Sequence, residues 1–167
     1  MSDGRSAAPG GLALVESLVN TLDIESGADA LGTADGRARF GLTEDEAEGA
    51  RELRESLRVA LLAHAGHPPH ARVTPLGDLL ASAPLRVTVD PADGSAALAP
   101  TDADALHSRV AAAVAQSLVD GTWARLKACE AETCHWAYYD RSPAGRGRWC
   151  SMQVCGARAK MRRYRAK

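Results

Sequence analysis

The four cysteines of the chain all lie between residue 129 and the C-terminus, as two pairs with the same internal spacing. Cys129 and Cys134 form one C-x4-C pair, and Cys150 and Cys155 form the other. Two thiol pairs around a short insert are the sequence form of a closed, tetrahedral zinc site. A structural zinc can contribute about 10–16 kcal/mol of folding free energy to a segment too small to be stabilised by its core alone. The spacing therefore predicts one structural Zn2+ held by all four cysteines.

The alternative for these thiols is a pair of disulfides, which depends on the cellular compartment. The apolar stretch at residues 12–22 carries Glu16 and Asn20, so it is a poor signal peptide. We therefore expect a cytoplasmic protein with reduced thiols. No stretch reaches the roughly 18 apolar residues of a membrane span, so no membrane contact is expected. The C-x4-C spacing also differs from the C-x-x-C of thiol exchangers. His135, next to Cys134, is an alternative ligand.

The net charge of −1 hides a strong polarity along the chain. From residue 129 onward, nine lysines and arginines face three acids, a net charge of +6, so residues 1–128 carry −7. A basic segment attached to an acidic body indicates contact with an anionic partner. The residues predicted to contact nucleic acid are Arg146, Arg148, Arg158, Lys160, Arg162, Arg163, Arg165 and Lys167.

Residues 12–127 are predicted to form a mostly helical body with one β-hairpin, after a small polar lead-in at residues 1–11. On the second long helix, leucines line one side, with Glu and Arg on the other. His64, His67 and His70 cluster near its end but lack a second group of ligands, so a solvated helix end is favoured over a metal site. The predicted elements are a helix over 12–22, a loop over 23–42, a helix from the Thr43–Glu46 capping box to His64, a short helix after Pro75, strands over 85–89 and 95–98, and a helix capped by Thr101 that buries Leu118.

Residues 128–167 are predicted to form a treble-clef-like zinc finger, which makes the fold class α+β. The aromatic residues Trp136, Tyr138 and Trp149 suit a hairpin between the cysteine pairs, and Ser151 is placed to cap a final helix. Apolar residues recur on that helix at spacings of 3, 4 and 3. This apolar stripe, Val154, Ala157, Met161 and Tyr164, is predicted to seat the helix on the cysteine site, with basic residues along both flanks.

The cysteine pattern, together with Asp140, Ser142 and the run RWCSM, resembles the CGNR-type zinc finger. Residues 18–23, LVNTLD, and residues 42–63 resemble the ABATE domain that usually precedes it. The resemblance implies a bacterial transcriptional regulator whose finger binds DNA, and it implies no catalytic activity. The family's Cys-Gly-Asn-Arg reads Cys-Gly-Ala-Arg in this chain, with Ala157 in place of the asparagine.

Three functions follow from these patterns. The first is a DNA-binding regulator whose body serves dimerisation or the sensing of a small-molecule effector. The second is an RNA-binding or ribosome-associated protein, in which Trp136, Tyr138 or Tyr139 stacks on unpaired bases. The third is an interaction module whose basic tail binds an acidic protein. No nucleophile–base pair is evident in either half, so we expect no enzymatic activity.

Overall fold

The computed structural model describes residues 6–166. They form the predicted α+β fold, a mostly helical body followed by a cysteine-rich segment. In this part of the chain, no helix is both long and apolar enough to cross a membrane. The helices are α1 (Leu12–Val19), α2 (Ala34–Ala38), α3 (Ala47–His64), α4 (Leu76–Leu80), α5 (Leu106–Val119) and α6 (Ala157–Arg165), with 3-10 turns at Ala30–Gly32 and Trp123–Arg125. The strands are β1 (Leu85–Val89), β2 (Ala96–Pro100), β3 (Leu126–Ala128) and β4 (Ala137–Tyr139).

The hydrophobic core of the body is built mainly by α1, α3 and α5. Leu53, Leu57 and Leu61 of α3 are fully buried. They pack in one cluster with Val15 of α1 and Val110 of α5. Their spacing of one helical turn places them on a single face, as predicted. Full burial of each such side chain stabilises the fold by about 1.5–3 kcal/mol.

The segment that precedes α3 is more ordered than predicted. The expected loop over residues 23–42 contains a 3-10 turn and α2. Thr33 caps α2, because its hydroxyl oxygen accepts the backbone N–H of Gly36 at 3.0 Å. The predicted capping box does not begin α3, which starts at Ala47 without a side-chain cap; the Glu46 carboxylate instead accepts the backbone N–H of Thr43 at 2.8 Å in the turn before it. Local side-chain caps thus replace a long loop with short helical turns.

α5 differs from its prediction at both ends. It begins at Leu106 and not after Thr101. Asp102 turns the chain instead, because its carboxylate accepts the backbone N–H groups of the two residues before Leu106. At the other end Leu118 is 60% exposed. The buried face of the last turn carries Ser117, so Leu118 is rotated away from the core.

The body hairpin is confirmed, with β2 starting one residue later than predicted. β1 and β2 pair antiparallel from Leu85 opposite Pro100 to Val89 opposite Ala96. Gly94 in the connecting turn has a φ of 75°, a conformation that glycine adopts without strain. The two strands form a sheet of their own.

The hairpin of the C-terminal segment lies elsewhere than predicted. β3 precedes the first cysteine pair and β4 follows it, while Trp149 belongs to no strand. β3 is three residues long, too short for its sequence to show an alternating pattern. Leu126, Ala128 and Ala137 from this hairpin are part of the same buried cluster as the body core. The predicted domain boundary at 127/128 therefore falls inside β3, and the segments on its two sides share a core.

Asn20, just beyond α1, links the body to β4 through hydrogen bonds of its side chain. Its side-chain amide donates to the backbone carbonyl of Ala137 at 3.0 Å and accepts the N–H of Ala137 at 2.7 Å. The Asn20 amide thus takes the place of a neighbouring strand at the edge of β4. Both backbone groups of Ala137 are satisfied in this way, as buried backbone groups require.

Candidate metal centre and basic C-terminal helix

The four cysteines come from two short segments that the fold brings together. Cys129 and Cys134 lie on the loop that joins β3 to β4. Cys150 lies just before, and Cys155 within, a π-helical turn at Met152–Gly156 that leads into α6. A knuckle and a helix start thus each supply two sulfur atoms, as the sequence predicts.

The sulfur atoms are arranged as a tetrahedral metal requires. All four lie within 4.8 Å of one another, with 3.6 Å between the sulfurs of Cys134 and Cys150 and 3.7 Å between those of Cys150 and Cys155. A tetrahedral zinc with bonds of about 2.3 Å would separate its sulfurs by about 3.8 Å. None of the four is in a disulfide. They can hold one zinc ion, and four thiolates leave no open position for a substrate.

Crowding separates the pKa values of the four thiols. Hydrogen bonds with Cys134 and Cys150 lower the pKa of Cys129 to about 2. The hydrogen bond with Cys129 raises the pKa of Cys134 well above its usual range and that of Cys150 to about 12. Burial raises the pKa of Cys155. Because zinc binds thiolates, loading the site with zinc must release the protons of the thiols.

His135, the alternative ligand, is turned away from the sulfur atoms. Its Nδ1 lies 3.0 Å from the carbonyl oxygen of Cys129, and it is absent from the group of metal-ligating atoms. Its φ of 44° is in the left-handed region, which is uncommon for residues other than glycine. The Arg58 guanidinium donates one hydrogen bond to the backbone carbonyl of His135 at 2.8 Å. It donates another to the backbone carbonyl of Val19 at 2.9 Å. Arg58 thus fixes the knuckle against the body.

A buried ion network, which the sequence analysis missed, surrounds this contact. The predicted solvent side of α3 includes Arg54 and Arg58, yet these are 4% and 0% exposed. Both donate to the Glu55 carboxylate, at 2.7 Å and 3.0 Å, and His70 lies 3.0 Å from it. Burial alone would raise the pKa of Glu55, but His70 and the two arginines lower it to about 2. Arg54 and Arg58 each directly follow a leucine of the apolar face of α3. This position next to the buried face was the one sign in the sequence that the two arginines could be buried.

The histidines at the end of α3 have separate partners. His64 Nδ1 lies 2.7 Å from the carbonyl oxygen of Leu126 in β3. His67 Nε2 lies 3.5 Å from the Glu130 carboxylate, and His70 belongs to the network around Glu55. Instead of forming a solvated end, the first two are partly buried and contact the cysteine-rich segment.

A second buried ion pair organises the loop between the cysteine pairs. Lys127 Nζ lies 2.9 Å from the Asp140 carboxylate, and both side chains are almost fully buried. The carboxylate also accepts the backbone N–H groups of Ser142 at 3.0 Å and Gly147 at 2.7 Å. Burial would raise the pKa of Asp140, but its hydrogen bonds with Ser142 and Lys127 lower it. A Cβ at position 147 would lie 3.0 Å from the carboxylate, which explains the glycine there.

α6 projects from the molecule with its apolar stripe uncovered. Ser151 caps the preceding turn as predicted, since its hydroxyl oxygen accepts the N–H of Val154 at 3.3 Å. Met161 and Tyr164, however, are 52% and 78% exposed. The prediction that the stripe packs on the cysteine site is wrong, because all four of its residues are exposed. A shallow groove along α6 is lined by Gln153, Val154, Ala157, Arg158, Met161, Arg162 and Arg165.

Two of the residues predicted to contact nucleic acid already form ion pairs within the protein. Arg148 pairs with Glu130. Arg158 pairs with Glu25 of the body at 3.0 Å, although both are largely exposed. Lys167 lies outside the described residues. The remaining cations are exposed and make no ion pair with residues 6–166; they are Arg146, Lys160, Arg162, Arg163 and Arg165.

Comparison with known families supports the identity of the cysteine-rich segment. A family model described as the CGNR zinc finger matches residues 125–167. The match includes β3, which agrees with the hairpin built around the knuckle. A search of curated proteins found no match to the chain. The predicted resemblance to the CGNR zinc finger is therefore confirmed for residues 125–167, and that of the body to the ABATE domain stays a prediction.

Proposed function

We propose that the protein is a DNA-binding transcriptional regulator, in which α6 is the element that contacts DNA. The observation that carries this proposal is the exposure of α6, in which every residue except the half-buried Ala159 is exposed. A helix that served only to complete the fold would bury its apolar stripe. Cations at a helix C-terminus complement the macrodipole, but that interaction would need fewer of them than α6 carries.

The dimensions of α6 suit the major groove. A helix with its side chains is about 10–12 Å across, and the groove of B-DNA is about 12 Å wide. Arg162 and Arg163 point to different sides of the helix, since adjacent helical residues are about 100° apart. They can therefore reach the phosphates on opposite sides of a groove.

The zinc in this proposal is structural. When bound, it would cross-link the knuckle to the start of α6 through Cys150 and Cys155, and so fix the direction in which the helix projects. The body residues Arg58 and Asn20 hold the knuckle from the other side. A closed four-thiolate site supports no substrate chemistry, so the proposal assigns no enzymatic activity.

The acidic body would not bind DNA itself, because like charge repels phosphates. We assign it to dimerisation, or to the sensing of a small-molecule effector. A regulator of this kind would work in the cytoplasm of a bacterium, where the chromosome lies.

The second candidate partner is an acidic protein. It is favoured by the exposure of Met161 and Tyr164, since apolar side chains gain more from an amphipathic partner than from phosphates. RNA stacking has less support. Tyr138 is 7% exposed and donates its hydroxyl to Gly147, while Trp136 and Tyr139 are partly buried.

DNA binding can be tested with zinc-loaded, full-length protein. Genomic fragments that co-purify with it would be sequenced, and duplexes made from them would be titrated at several salt concentrations. The double variant Arg162→Gln/Arg163→Gln should weaken binding to all sequences. It should also reduce the slope of log K against log salt by about 0.9 for each lost phosphate contact.

The matched control is Arg72→Gln, which removes an exposed arginine of the body and should change neither affinity nor slope. If the double variant keeps its zinc and binds DNA at low salt as tightly as the wild type, α6 is not the DNA-binding element. Competition with single-stranded RNA and with an acidic protein would then identify the partner class.

A further inference from the structure

β1 has a hydrogen-bonded neighbour on one side and an open edge on the other. Residues 6–166 give it a single partner strand, β2. From Arg86 to Val89 every residue is exposed, and Val87 and Val89 are 68% and 61% exposed. A hairpin of two strands is only marginally stable, whereas three or more strands form a stable sheet.

The bonds at the two ends of the hairpin fix which backbone groups face outward. Thr101 donates its N–H to the carbonyl of Pro84 at 3.2 Å, and Asp90 donates to Ser95 at 2.8 Å. In an antiparallel pair, hydrogen-bonded and non-hydrogen-bonded positions alternate. The even-numbered residues of β1 therefore face β2, and the odd-numbered residues face the open edge.

The open edge therefore carries the backbone N–H and carbonyl groups of three residues, Leu85, Val87 and Val89. Within the described part of the chain, no backbone group accepts or donates to them there. Proteins commonly protect such edges with proline or lysine. β2 ends in Pro100, whereas β1 contains neither proline nor lysine, and its one charged residue is Arg86. The edge is therefore ready to pair with another strand.

We propose that β1 pairs with β1 of a second copy of the chain, antiparallel, about a two-fold axis at Val87. In this register Val87 lies opposite Val87 of the second copy, and Leu85 lies opposite Val89. Each of the three outward-facing residues then donates one hydrogen bond and accepts one. Arg86 lies opposite Thr88, so no like charges meet.

Other symmetric registers fit less well. A register centred between two residues would oppose the outward-facing backbone groups to groups that already face β2. One centred on Arg86 would place two arginines opposite each other, and one centred on Thr88 would pair only Val87 with Val89 among the three outward-facing residues. A register centred on Leu85 or Val89 would leave part of each strand without a partner. The register centred on Val87 joins the two hairpins into a four-stranded sheet, and the interface is self-complementary, as a two-fold dimer requires.

The dimer deepens the dimerisation role proposed for the body by naming the strand that forms the interface, and its test does not depend on what α6 binds. If α6 does bind DNA, the dimer would carry two basic helices and would favour sites with two-fold symmetry.

Light scattering on zinc-loaded, full-length protein over a dilution series tests the dimer. We expect a wild-type mass twice the chain mass of 17.5 kDa. Val87→Lys and Val87→Glu each place two like charges at the axis, so each variant alone should have the monomer mass. Val119→Lys is the matched control, since Val119 is an exposed valine on α5, and it should remain a dimer.

An equimolar mixture of Val87→Lys and Val87→Glu should restore the dimer mass, because opposite charges then meet at the axis. This rescue separates a lost interface from a misfolded hairpin. A wild-type protein that stays monomeric at the highest concentration would overturn the proposal and leave the edge for a strand of another protein. A Val87→Lys variant that stays dimeric would also overturn it.

Discussion

At the residue scale, the burial of charge is the main feature that the sequence pattern does not reveal. Arg58 is fully buried, although arginine is almost never buried without partners. Its planar guanidinium donates hydrogen bonds to a carboxylate and to two backbone carbonyls at once, a geometry that lysine cannot reproduce. These partners belong to α3, to α1 and to the cysteine knuckle. One side chain therefore fixes the position of the metal centre relative to the body.

Glu55, the partner of Arg58, should make stability depend on pH. A carboxyl group whose pKa is lower in the folded state stabilises the protein above its unfolded pKa, and that contribution is lost as the pH falls through the folded value. For Glu55 the two values are 4.5 and about 2. Glu55→Gln should therefore be destabilised relative to wild type by at most about 3 kcal/mol at pH 7, and the gap should shrink between about pH 4.5 and 2.

Urea unfolding across this pH range measures the gap. Glu48→Gln is the control, because Glu48 is largely exposed, and its effect should stay within about 0.5 kcal/mol throughout. A Glu55→Gln gap that does not change with pH would contradict the assigned role of the carboxylate.

The zinc prediction also belongs to single residues. We expect one zinc per wild-type chain and a loss of tight binding in Cys155→Ser, which removes one of the four ligands. Ser151→Ala should keep its zinc and lose only about 0.5–2 kcal/mol, the usual contribution of a helix cap. Metal analysis with thiol titration provides the measurement. A metal-free wild type with all four thiols paired as disulfides would refute the site.

At the scale of elements, α6 shows the limit of periodicity as a guide. The stripe of Val154, Ala157, Met161 and Tyr164 has helical spacing, and the helix forms as predicted. Spacing shows that these residues share a face but not that another element covers the face. On this helix Arg158 is already paired with Glu25, so Arg162 is the better candidate of the two for the proposed contact with phosphates.

Met161→Ala tests the exposed position of the stripe. Because Met161 is 52% exposed, the substitution should change the free energy of unfolding by less than about 0.5 kcal/mol. Leu57→Ala, at a fully buried position, should cost about 2–5 kcal/mol in the same denaturant titration. A comparable loss in Met161→Ala would mean that the stripe packs against the protein in solution.

At the scale of the whole molecule, the body and the finger depend on each other. Leu126, Ala128 and Ala137 fill part of the body core, and Asn20 bonds to Ala137 across the boundary. The sequence analysis placed a domain boundary between residues 127 and 128, within the strand β3 that contributes to this shared core. A shared core makes unfolding of the two parts cooperative.

Truncation after Ala128 should therefore destabilise the body, because Asn20 and Arg58 would lose their partners on the knuckle. The full chain should unfold in a single transition followed by both circular dichroism and tryptophan fluorescence. Removal of zinc by a chelator should lower the midpoint of that transition for both probes. Two separate transitions in the zinc-loaded chain, with only one of them sensitive to the chelator, would contradict the shared core.

Features that depend on local spacing and composition could be predicted from the sequence. The four zinc ligands follow from two C-x4-C pairs, the main helices from apolar periodicity, and the basic C-terminal segment from a count of charges. Each of these signals is contained in a few neighbouring residues. The match to the CGNR zinc finger covers the same stretch of chain.

Which surfaces meet became known from the tertiary structure. It buried Arg54 and Arg58 because acceptors distant in sequence surround them, and it built the hairpin from β3 and β4 on either side of the knuckle. It also left the stripe of α6 and the edge of β1 uncovered. A side chain becomes buried, or a strand edge stays open, only through contacts between segments far apart in the chain, and a periodic pattern carries no information about those contacts.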